Sequence, residues 1–364
     1  MFKDLSRRHF LAGSTAAAGA VTLGGTLGAG TALAADPLKV GYIYVGPIGD
    51  FGWTHGHDVA RRAVEAHFGD KVKTSYVESV DEGPDADRVI RQLATSGHKL
   101  IFTTSFGFMN PTVRVAKQFP DVYFEHATGI QTLDNLAIYN ARFYEGRAVI
   151  GTIAGHVTKT GKFGYIASFP IPEVVMGINA FILAARKVRP DAEIKVVWVN
   201  SWYDPGKEAD ATKALIDQGC DVITQHTDSP APIQTAGSRG VWCFGQASDM
   251  VGFAPDWHAT AILDVWAPYY IERVQAVLDG TWKTSDVWHG LKEGMVVMAP
   301  YNPKLPPEAV EAAETVRKAI VDGSLHPFAG PIKNQAGEVK VPEGSTMTDQ
   351  ELLGMDWYVE GVSA

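Results

Sequence analysis

The stretch from Val40 to Ala66, VGYIYVGPIGDFGWTHGHDVARRAVEA, predicts a buried strand, a loop rich in glycine and a helix, in that order. The apolar and aromatic run from Gly41 to Val45 is typical of a central strand in a parallel sheet. Ligands of open α/β sheets bind just beyond the carboxyl ends of the strands, so this loop is a candidate binding segment. Three glycines allow the loop to turn tightly and let another molecule approach its backbone: Gly46, Gly49 and Gly52.

The end of this loop carries a large aromatic residue beside a carboxylate. It is formed by Asp50, Phe51, Trp53 and Thr54, a combination suited to holding a flat polar molecule. Alternatively, Trp53 fills the core and Asp50 caps the helix, and this stretch alone leaves both possibilities open. Thr54 is a further candidate cap for a helix that begins near His55. We expect that helix to bury a face made of Val59, Ala63 and Ala66.

Residues 1–34 are predicted to be a twin-arginine signal peptide and no part of the fold. Arg7 and Arg8 stand in the motif SRRHFL, a weakly apolar Ala/Gly run follows, and Ala32-Leu33-Ala34 forms a cleavage site of the A-x-A type. The run is too short and too rich in glycine to predict a membrane span. We expect cleavage after Ala34, export to the periplasm and, because no cysteine follows the run, no lipid anchor.

The composition of the 364-residue chain narrows the classes of function. A net charge of −9 without a basic block argues against binding to nucleic acid or to anionic membrane surfaces. The length and a hydrophobic content of 46% predict about two domains with substantial cores. Cys220 and Cys243 are the only cysteines, and both fall in or beside predicted buried strands. We therefore favour two buried thiols over a disulfide.

From Leu38 onward, strand and helix patterns alternate, which predicts parallel sheets with helices on both faces. The alternation restarts after the segment Lys159–Lys162, as expected for a second sheet of the same kind. The fold class is therefore α/β, with two lobes, several crossings between them and a ligand cleft at their interface. Lobe 1 is predicted to comprise 37–158 and about 259–290, lobe 2 to comprise 159–258 and about 291–345, and 346–364 to form a C-terminal tail.

Loops at the predicted strand ends supply the candidate ligand-binding residues. Aromatic residues recur on both lobes, and two rings facing each other across a cleft would sandwich a planar ligand. Ionised carboxylates only accept hydrogen bonds, so they would select a ligand that carries N–H donors. For each aromatic the alternative is core packing, and Asp204 is better explained as a helix N-cap before Pro205. The candidate set is Trp53, Asp50, Thr54, Phe106, Phe169, Trp202, Asp228 and Asp249.

Signatures of catalysis and of metal binding are missing from the sequence. It contains no G-x-S-x-G elbow, H-E-x-x-H pair, C-x-x-C pair or P-loop. His55 and His57 form the one close histidine pair, but on a helix they point in different directions, which suits solvated or capping side chains better than zinc ligands. We expect no cofactor, no metal and no enzymatic activity.

Several motifs resemble those of the basic membrane protein family, which are purine nucleoside receptors among the substrate-binding proteins of ABC transporters. Residues 49–54, GDFGWT, are similar to the family's D-K-S-F-N loop, and 218–223, QGCDVI, to its Q-G-A-D-V-I stretch. Residues 201–205, SWYDP, are similar to G-S-F-x-D-P. The resemblance covers essentially all of 37–300 and implies a type I periplasmic binding fold with a purine stacked on Trp53 and, less directly, on Trp202. It also implies an ABC permease in the inner membrane as the partner of a monomeric chain.

Two departures from the family's motifs concern the sugar of the ligand. Ala247 stands where the G-V-D-S-D motif has its first aspartate, and Asp264 stands where T-S-V-x-K has its lysine. The resemblance implies that these two positions hold ribose hydroxyls in the family. Their loss, together with the retained aromatic positions, predicts a free purine base. Adenine best fits carboxylate acceptors at Asp228 and Asp249.

Three other functions remain open from the sequence: a nucleoside-binding protein of the same fold, a signalling co-receptor of that fold, and a secreted oxidoreductase with a nucleotide cofactor. The last is suggested by Gly46, Gly49 and Gly52 after a strand, with Glu78 ending the next strand. However, their spacing is not G-x-G-x-x-G, and Asp50 would repel a pyrophosphate at the N-terminus of the following helix.

Overall fold

The structure, a computed structural model, describes residues 36–364 of the chain. The predicted signal peptide lies outside these residues, so the twin-arginine motif and its cleavage site stay predictions. Across 36–364, none of the helices has both the length and the apolar character that a membrane span requires. Residues 37–364 form two lobes, and each lobe is built on one large sheet. The lobe around the more N-terminal sheet is called the first lobe, and the other is called the second lobe.

Strands and helices alternate along the chain as the sequence predicts. The N-terminal part contains β1 (Leu38–Ile43), α1 (Gly52–Phe68), β2 (Val72–Val77), α2 (Pro84–Thr95), β3 (Leu100–Thr103), α3 (Met109–Ala116), β4 (Tyr123–Ala127), β5 (Leu136–Ala141) and α4 (Phe143–Val157). The middle part contains β6 (Lys162–Ala167), α5 (Pro172–Val188), β7 (Glu193–Trp198), α6 (Pro205–Asp217), β8 (Val222–His226), α7 (Ala231–Ser238), β9 (Trp242–Ala247) and β10 (His258–Asp264). The C-terminal part contains α8 (Ala267–Leu278), β11 (Asp286–His289), β12 (Val296–Met298), α9 (Pro307–Val321), β13 (Ile332–Lys333), β14 (Val339–Val341), α10 (Asp349–Leu353) and β15 (Val362–Ser363).

Both large sheets are parallel in nearly every pairing. The first sheet has the strand order β11-β5-β4-β3-β1-β2, and all its neighbours are parallel. The second sheet has the order β12-β10-β9-β8-β6-β7-β15, and only the pair of β10 with β12 is antiparallel. A helix between two strands returns the chain to the end of the sheet at which the first strand began, so the next strand runs parallel to it. The parallel sheets therefore follow from the alternating pattern. The carboxyl ends of the central strands therefore lie together in each lobe.

The structure differs from the sequence-based division in the sheet to which two strands belong. The sequence analysis assigned 259–290 to the first lobe, but β10 pairs with β9 in the second sheet, and only α8 and β11 join the first lobe. Strand β15, in the predicted tail, pairs with β7 of the second sheet. Local patterns identify a strand but not its neighbours, which explains both differences. Helix α4, which the sequence analysis assigned to the first lobe, packs on α5 and α9 in the second. The chain thus crosses between the lobes after β5, after β10 and after β11.

Helix α1 begins three residues earlier than predicted and buries a different face. Gly52 is its first residue, Phe51 is its N-cap without a capping side chain, and Thr54 lies inside its first turn. The prediction that Thr54 caps the helix is therefore wrong. Val59 was expected to be buried but is 47% exposed. His57 was expected to be solvated or capping, and it is instead fully buried.

The buried face of α1 is polar because its groups find partners inside the first lobe. His57 Nδ1 lies 2.6 Å from the Tyr270 hydroxyl on α8. Asp58 accepts hydrogen bonds from Arg61 and Arg62, both at 2.6 Å. Burial alone would raise the pKa of Asp58, but these two arginines hold it below its ordinary value. A pattern of apolar residues could not reveal this face, since its polar groups are satisfied partly within the helix and partly by Tyr270 on α8.

Helix α4 is buried on nearly all sides, between α5, α9 and strands of the second sheet. Such burial requires a helix that is apolar all round and has small residues at the closest approaches. Gly151 is one of them, because a Cβ there would collide with the backbone carbonyl of Phe181 on α5.

Cys220 and Cys243, also in the second lobe, are buried free thiols, which confirms the prediction that they do not form a disulfide.

Candidate functional site

A cleft lies between the two lobes, at the carboxyl ends of strands from both sheets. The space between its walls that protein atoms do not fill is about 410 Å³, counted to its open mouth. Its lining residues are Val45, Trp53, Ser105, Phe106, Thr128, Glu173, Trp202, His226, Asp228 and Gln246.

Trp53, the second residue of α1, is fixed at the wall of the cleft. Its indole Nε1 donates a hydrogen bond to the backbone carbonyl of Thr104 at 2.7 Å. Its ring meets those of His57 and Trp266 edge-on, with centroid distances of 4.5 and 5.4 Å. Part of the ring packs into the first lobe while the rest lines the cleft. Packing of Trp53 into the core, one of the two possibilities that the sequence left open, is therefore realised in part, and its contact with a ligand stays a prediction.

Trp202 lines the same cleft from the second lobe. Its ring packs against that of Phe169 in a tilted arrangement, with the ring centroids 5.2 Å apart. The buried Nε1 of Trp202 has no hydrogen-bond partner among residues 36–364. A buried donor without a partner costs about 1–3 kcal/mol, which a ligand acceptor or a water would recover. Phe106 adds a third aromatic ring to the lining.

Hydrogen bonds across the cleft join the glycine loop to the second lobe. The Gly52 N–H donates to Ser248 Oγ at 2.6 Å, and the Trp53 N–H donates to Asp228 Oδ1 at 3.1 Å. These contacts satisfy free N–H groups at the start of α1, which explains why the helix needs no cap from Thr54. Gly52 has a φ of 86°, and a Cβ there would lie 2.9 Å from the backbone oxygen of Asp228. Only glycine suits this position.

Two carboxyls in the lining titrate near neutral pH. Burial raises the pKa of Asp228 to about 7, against the opposing effect of the Trp53 N–H. Burial likewise raises the pKa of Glu173 to about 7, with Arg147 opposing it. His226 Nε2 lies 3.7 Å from Glu173 Oε1, but burial holds the pKa of the imidazole well below its ordinary value, so the ring is neutral. The cleft can therefore change its charge to match the donors of a ligand.

A group of buried polar side chains lies next to Glu173 and Asp228 of the lining. The guanidinium of Arg147 donates three hydrogen bonds, to Thr224 Oγ1, the Gln225 carbonyl and Gln246 Oε1. Asp264 is 8% exposed, and neither of its carboxyl oxygens has a hydrogen-bond partner within the described part of the chain. Burial, together with the neighbouring carboxyls of Glu173 and Asp228, raises the pKa of Asp264 well above its ordinary value.

Backbone strain also marks the loops around the cleft. Positive φ angles occur at Thr128, with 61°, at Asn200, with 51°, and at Ala247, with 57°. Such angles are uncommon outside glycine, and for a β-branched residue such as Thr128 they are exceptional. Thr128 directly follows β4, Ala247 is the last residue of β9, and Asn200 lies two residues beyond the end of β7. Strained backbone persists where the surrounding structure requires it, typically at binding sites.

The structure brings together four of the eight residues that the sequence predicted: Trp53, Phe106, Trp202 and Asp228. Thr54 is buried outside the lining, and its hydroxyl has no partner among residues 36–364. Phe169 is outside the lining and packs against the ring of Trp202. Asp50 is exposed on the loop, and Asp249, also exposed, accepts a hydrogen bond from the Val251 N–H at 3.0 Å. Neither aspartate is part of the lining.

The polar lining residues absent from the candidate set are Ser105, Thr128, Glu173, His226 and Gln246. His226 ends β8 and Gln246 is the last residue but one of β9, so their position at strand ends was the available signal. Glu173 gave no such signal. It follows Pro172 in the first turn of α5, where an acidic residue is usual because it interacts favourably with the helix dipole.

Comparisons with known proteins agree with this arrangement. A family model described as ABC transporter substrate-binding protein PnrA-like matches residues 38–325. The chain is 58% identical over 341 residues to a purine-binding protein of Brucella abortus (strain 2308), which covers 94% of this chain and 97% of that protein. It is 38% identical over 295 residues to a Haloferax volcanii protein provisionally named an ABC transporter glucose-binding protein, which covers 81% of this chain and 75% of that protein.

Solved structures with little sequence identity share the fold. An ABC transporter solute-binding protein of Aeropyrum pernix K1 superposes with a TM-score of 0.68 at 19% identity, covering 88% of this chain and 98% of that one. A solute-binding protein of Conexibacter woesei DSM 14684 gives a TM-score of 0.65 at 21% identity, covering 79% of this chain and 98% of that one. These similarities confirm the two-lobed α/β fold of type I periplasmic binding proteins.

Proposed function

The chain belongs to the PnrA-like family of ABC transporter substrate-binding proteins, and we propose that it binds a free purine base, preferably adenine, between its lobes. It presents the base to an ABC permease in the inner membrane and changes none of the base's covalent bonds. The observation that carries this proposal is the meeting, in one cleft, of the indole rings of Trp53 and Trp202 with the carboxyl of Asp228. The name of the 58% identical Brucella protein, a purine-binding protein, supports it.

The aromatic walls suit a planar ring system. Trp53 belongs to the first lobe and Trp202 to the second, so a base stacked between them contacts both lobes at once. Stacking of a base on an aromatic side chain is worth about 1–3 kcal/mol per base. Such a ligand stabilises the closed arrangement, in which Gly52 and Trp53 already donate hydrogen bonds to the second lobe. Closure of a hinge around the ligand is the usual mechanism of two-lobed binding proteins.

Asp228 supplies an acceptor for the N–H groups of the base. Its Oδ1 accepts the Trp53 N–H, which leaves Oδ2 for the ligand. Adenine offers an exocyclic amino group and a ring N–H, both of which are donors. Hydrogen bonds to an ionised carboxylate are shorter and about twice as strong as those between neutral groups. The ligand thereby repays the cost of burying this carboxyl.

The preference for a base over a nucleoside rests on the groups available to a ribose. Ala247 has no polar side-chain atom, and position 264 is an aspartate where the family's motif has a lysine. Ribose hydroxyls left without partners would cost about 1–3 kcal/mol each.

A purine nucleoside is the second candidate ligand, and one observation favours it. Both carboxyl oxygens of Asp264 lack partners within the described residues, so they would accept hydrogen bonds from ribose hydroxyls that reached them. Asp264 is 8% exposed, however, and does not belong to the cleft lining. The free base therefore remains the proposed ligand.

Identification of the molecule that copurifies with the protein tests the proposal. The protein is purified from cells without added ligand and denatured, and the released small molecules are analysed by mass spectrometry. A purine base is the expected result, and a purine nucleoside would favour the second candidate. Release of glucose, in keeping with the name of the Haloferax relative, would contradict both.

We also propose that the protein is exported to the periplasm by the twin-arginine route. Substrate-binding proteins of this family are typically periplasmic or extracellular, and the arginine pair and the A-x-A site specify the route. N-terminal sequencing of periplasmic material should give a chain that begins at Ala35. An intact Met1, or retention in the cytoplasm, would contradict this expectation.

A further inference from the structure

Glu173 is a carboxyl that faces the cleft without a structural partner. It is the second residue of α5, and its side chain is 19% exposed. It lines the cleft together with Trp202 and Asp228. It accepts no hydrogen bond from any group in residues 36–364. A carboxyl so placed either costs free energy in the empty protein or finds its partner in the ligand.

The titratable groups around Glu173 do not neutralise it. His226 Nε2, on β8, lies beyond hydrogen-bond distance at 3.7 Å, and the Nδ1 of this ring has no partner within the described chain. Arg147, on α4, donates three hydrogen bonds to groups of β8 and β9, and its Nε has no partner among residues 36–364. It forms neither a hydrogen bond nor an ion pair with Glu173 and acts on it only through its charge. Tyr165 on β6 and Asp264 on β10 are the other neighbours, and neither carries a positive charge. Glu173 therefore accepts no hydrogen bond from the protein groups around it within residues 36–364.

We propose that Glu173 is a second ligand-binding carboxyl, which accepts a hydrogen bond from an edge of the base that Asp228 does not contact. This inference rests on the proposed function and deepens it. It restricts the ligands to bases that carry N–H groups on two edges. Adenine has both, namely its amino group and the N–H of its imidazole ring. Unsubstituted purine lacks the first, while 9-methyladenine and every 9-linked nucleoside lack the second.

The burial of Glu173 is consistent with this role. In the ligand-free cleft its pKa of about 7 leaves the carboxyl partly protonated at neutral pH. A donated N–H favours the ionised form and so takes the place that a lysine or arginine has in a structural ion pair. Two carboxyls that each require an N–H also explain a preference for the free base without reference to Ala247 or Asp264.

Calorimetric titration of three ligands into four proteins tests the inference. The ligands are adenine, purine and 9-methyladenine, and the proteins are wild type, Glu173→Gln, Asp228→Asn and Glu308→Gln. Glu173→Gln should weaken adenine binding about tenfold, because a neutral amide accepts hydrogen bonds less strongly than a carboxylate. Purine and 9-methyladenine each lack one of the two N–H groups of adenine. The loss of affinity in Glu173→Gln should disappear for one of these two ligands, and the loss in Asp228→Asn should disappear for the other.

Glu308→Gln is the matched control. Glu308 follows Pro307 in the first turn of α9, as Glu173 follows Pro172 in α5, but Glu308 is exposed and outside the cleft. Removal of its charge changes a helix N-terminus in the same way and should leave all three affinities unchanged. Thermal unfolding of each variant without ligand separates effects on stability from effects on binding.

Three results would overturn the inference. One is a Glu173→Gln variant that binds all three ligands as the wild type does, and another is the same ligand dependence in Glu173→Gln and Asp228→Asn. The third needs no variant: wild-type protein should bind purine and 9-methyladenine at least tenfold more weakly than adenine, and equal affinity for either would refute the requirement for two edges. If wild type bound none of the bases, the proposed function itself would fail, and this inference would fail with it.

Discussion

The two lobes contribute different chemistry to one cleft. The first lobe lines it with rings, an aliphatic side chain and hydroxyls, namely Val45, Trp53, Ser105, Phe106 and Thr128. Every titratable group of the lining comes from the second lobe, which contributes Glu173, His226 and Asp228 together with Trp202 and Gln246. The first lobe thus offers a surface for stacking, while the second also reads hydrogen-bonding groups. A ligand that needs both kinds of contact binds fully only when the lobes are closed.

The contact between the lobes at Gly52 should be the most sensitive point. In Gly52→Ala the added Cβ would lie 2.9 Å from the backbone oxygen of Asp228, so the lobes could not close fully. Loss of the two cross-cleft hydrogen bonds and of part of the stacking should weaken ligand binding by about 3 kcal/mol, as measured by calorimetry. Gly49→Ala is the matched control, because Gly49 also has a positive φ, of 50°, but no atom lies within 4 Å of an added Cβ. Equal losses in both variants would attribute the effect to backbone strain and not to closure.

Removal of the stacking surface of the first lobe should have the next largest effect. Trp53→Ala should weaken binding of the base by about 1–3 kcal/mol in calorimetric titrations. It should also lower the melting temperature, since the ring packs against His57 and Trp266. Trp257→Ala, a partly buried tryptophan that packs against Trp242 in the second lobe, is the control for loss of an indole. Unchanged affinity with a lowered melting temperature would make Trp53 a core residue only.

A smaller change should follow from altering one acceptor of the second lobe. Asp228→Asn keeps the shape of the side chain and should weaken adenine binding by about 1–2 kcal/mol, because a charge-assisted hydrogen bond becomes a neutral one. Asp249→Asn alters an exposed carboxylate outside the lining and should leave the affinity unchanged. A larger loss in Asp249→Asn than in Asp228→Asn would reverse the assignment of the two aspartates.

The two carboxyls of the lining also predict that stability and ligand affinity depend moderately on pH. The pKa values of Asp228 and Glu173 are about 7 in the folded protein, against about 4 for exposed carboxyls. The folded state therefore binds more protons than the unfolded state between pH 4 and 7, so these groups make the ligand-free protein less stable as the pH rises through that window. N–H donors favour the ionised forms, so affinity for the base should increase several-fold from pH 6 to 8. Titrations across this range should give a flat profile for the double variant Asp228→Asn, Glu173→Gln, and a flat profile for the wild type would contradict the account.

Much of the fold follows from local patterns in the sequence. Strands and helices alternate from Leu38 as predicted, because apolar runs, prolines and glycines mark them directly. Asp204 was predicted as an N-cap before Pro205, and it accepts a hydrogen bond from the Lys207 N–H at 3.0 Å. Sheet membership was predicted less well. Strand β10 carries the same local signal in either sheet, and only its pairing with β9 and β12 decides between them.

The candidate site could be predicted only where a side chain follows a strand end and has a suggestive type. Trp53, Trp202 and Asp228 meet both conditions. Glu173 meets neither, since it stands in a helix turn where acids are common, and its role depends on burial opposite a neutral His226. The polar inward face of α1 was missed for a related reason. The burial and hydrogen-bond partners of a polar side chain are tertiary properties that sequence spacing does not encode.

The most direct test of the central claim is a calorimetric comparison of adenine with adenosine on the same wild-type protein. The account predicts that adenine binds at least a hundredfold more tightly, because the ribose blocks one N–H of the base and buries two hydroxyls at about 1–3 kcal/mol each. Equal or tighter binding of adenosine would contradict it. The chain would then be a nucleoside receptor, with Asp264 as the first residue to test for contact with the sugar.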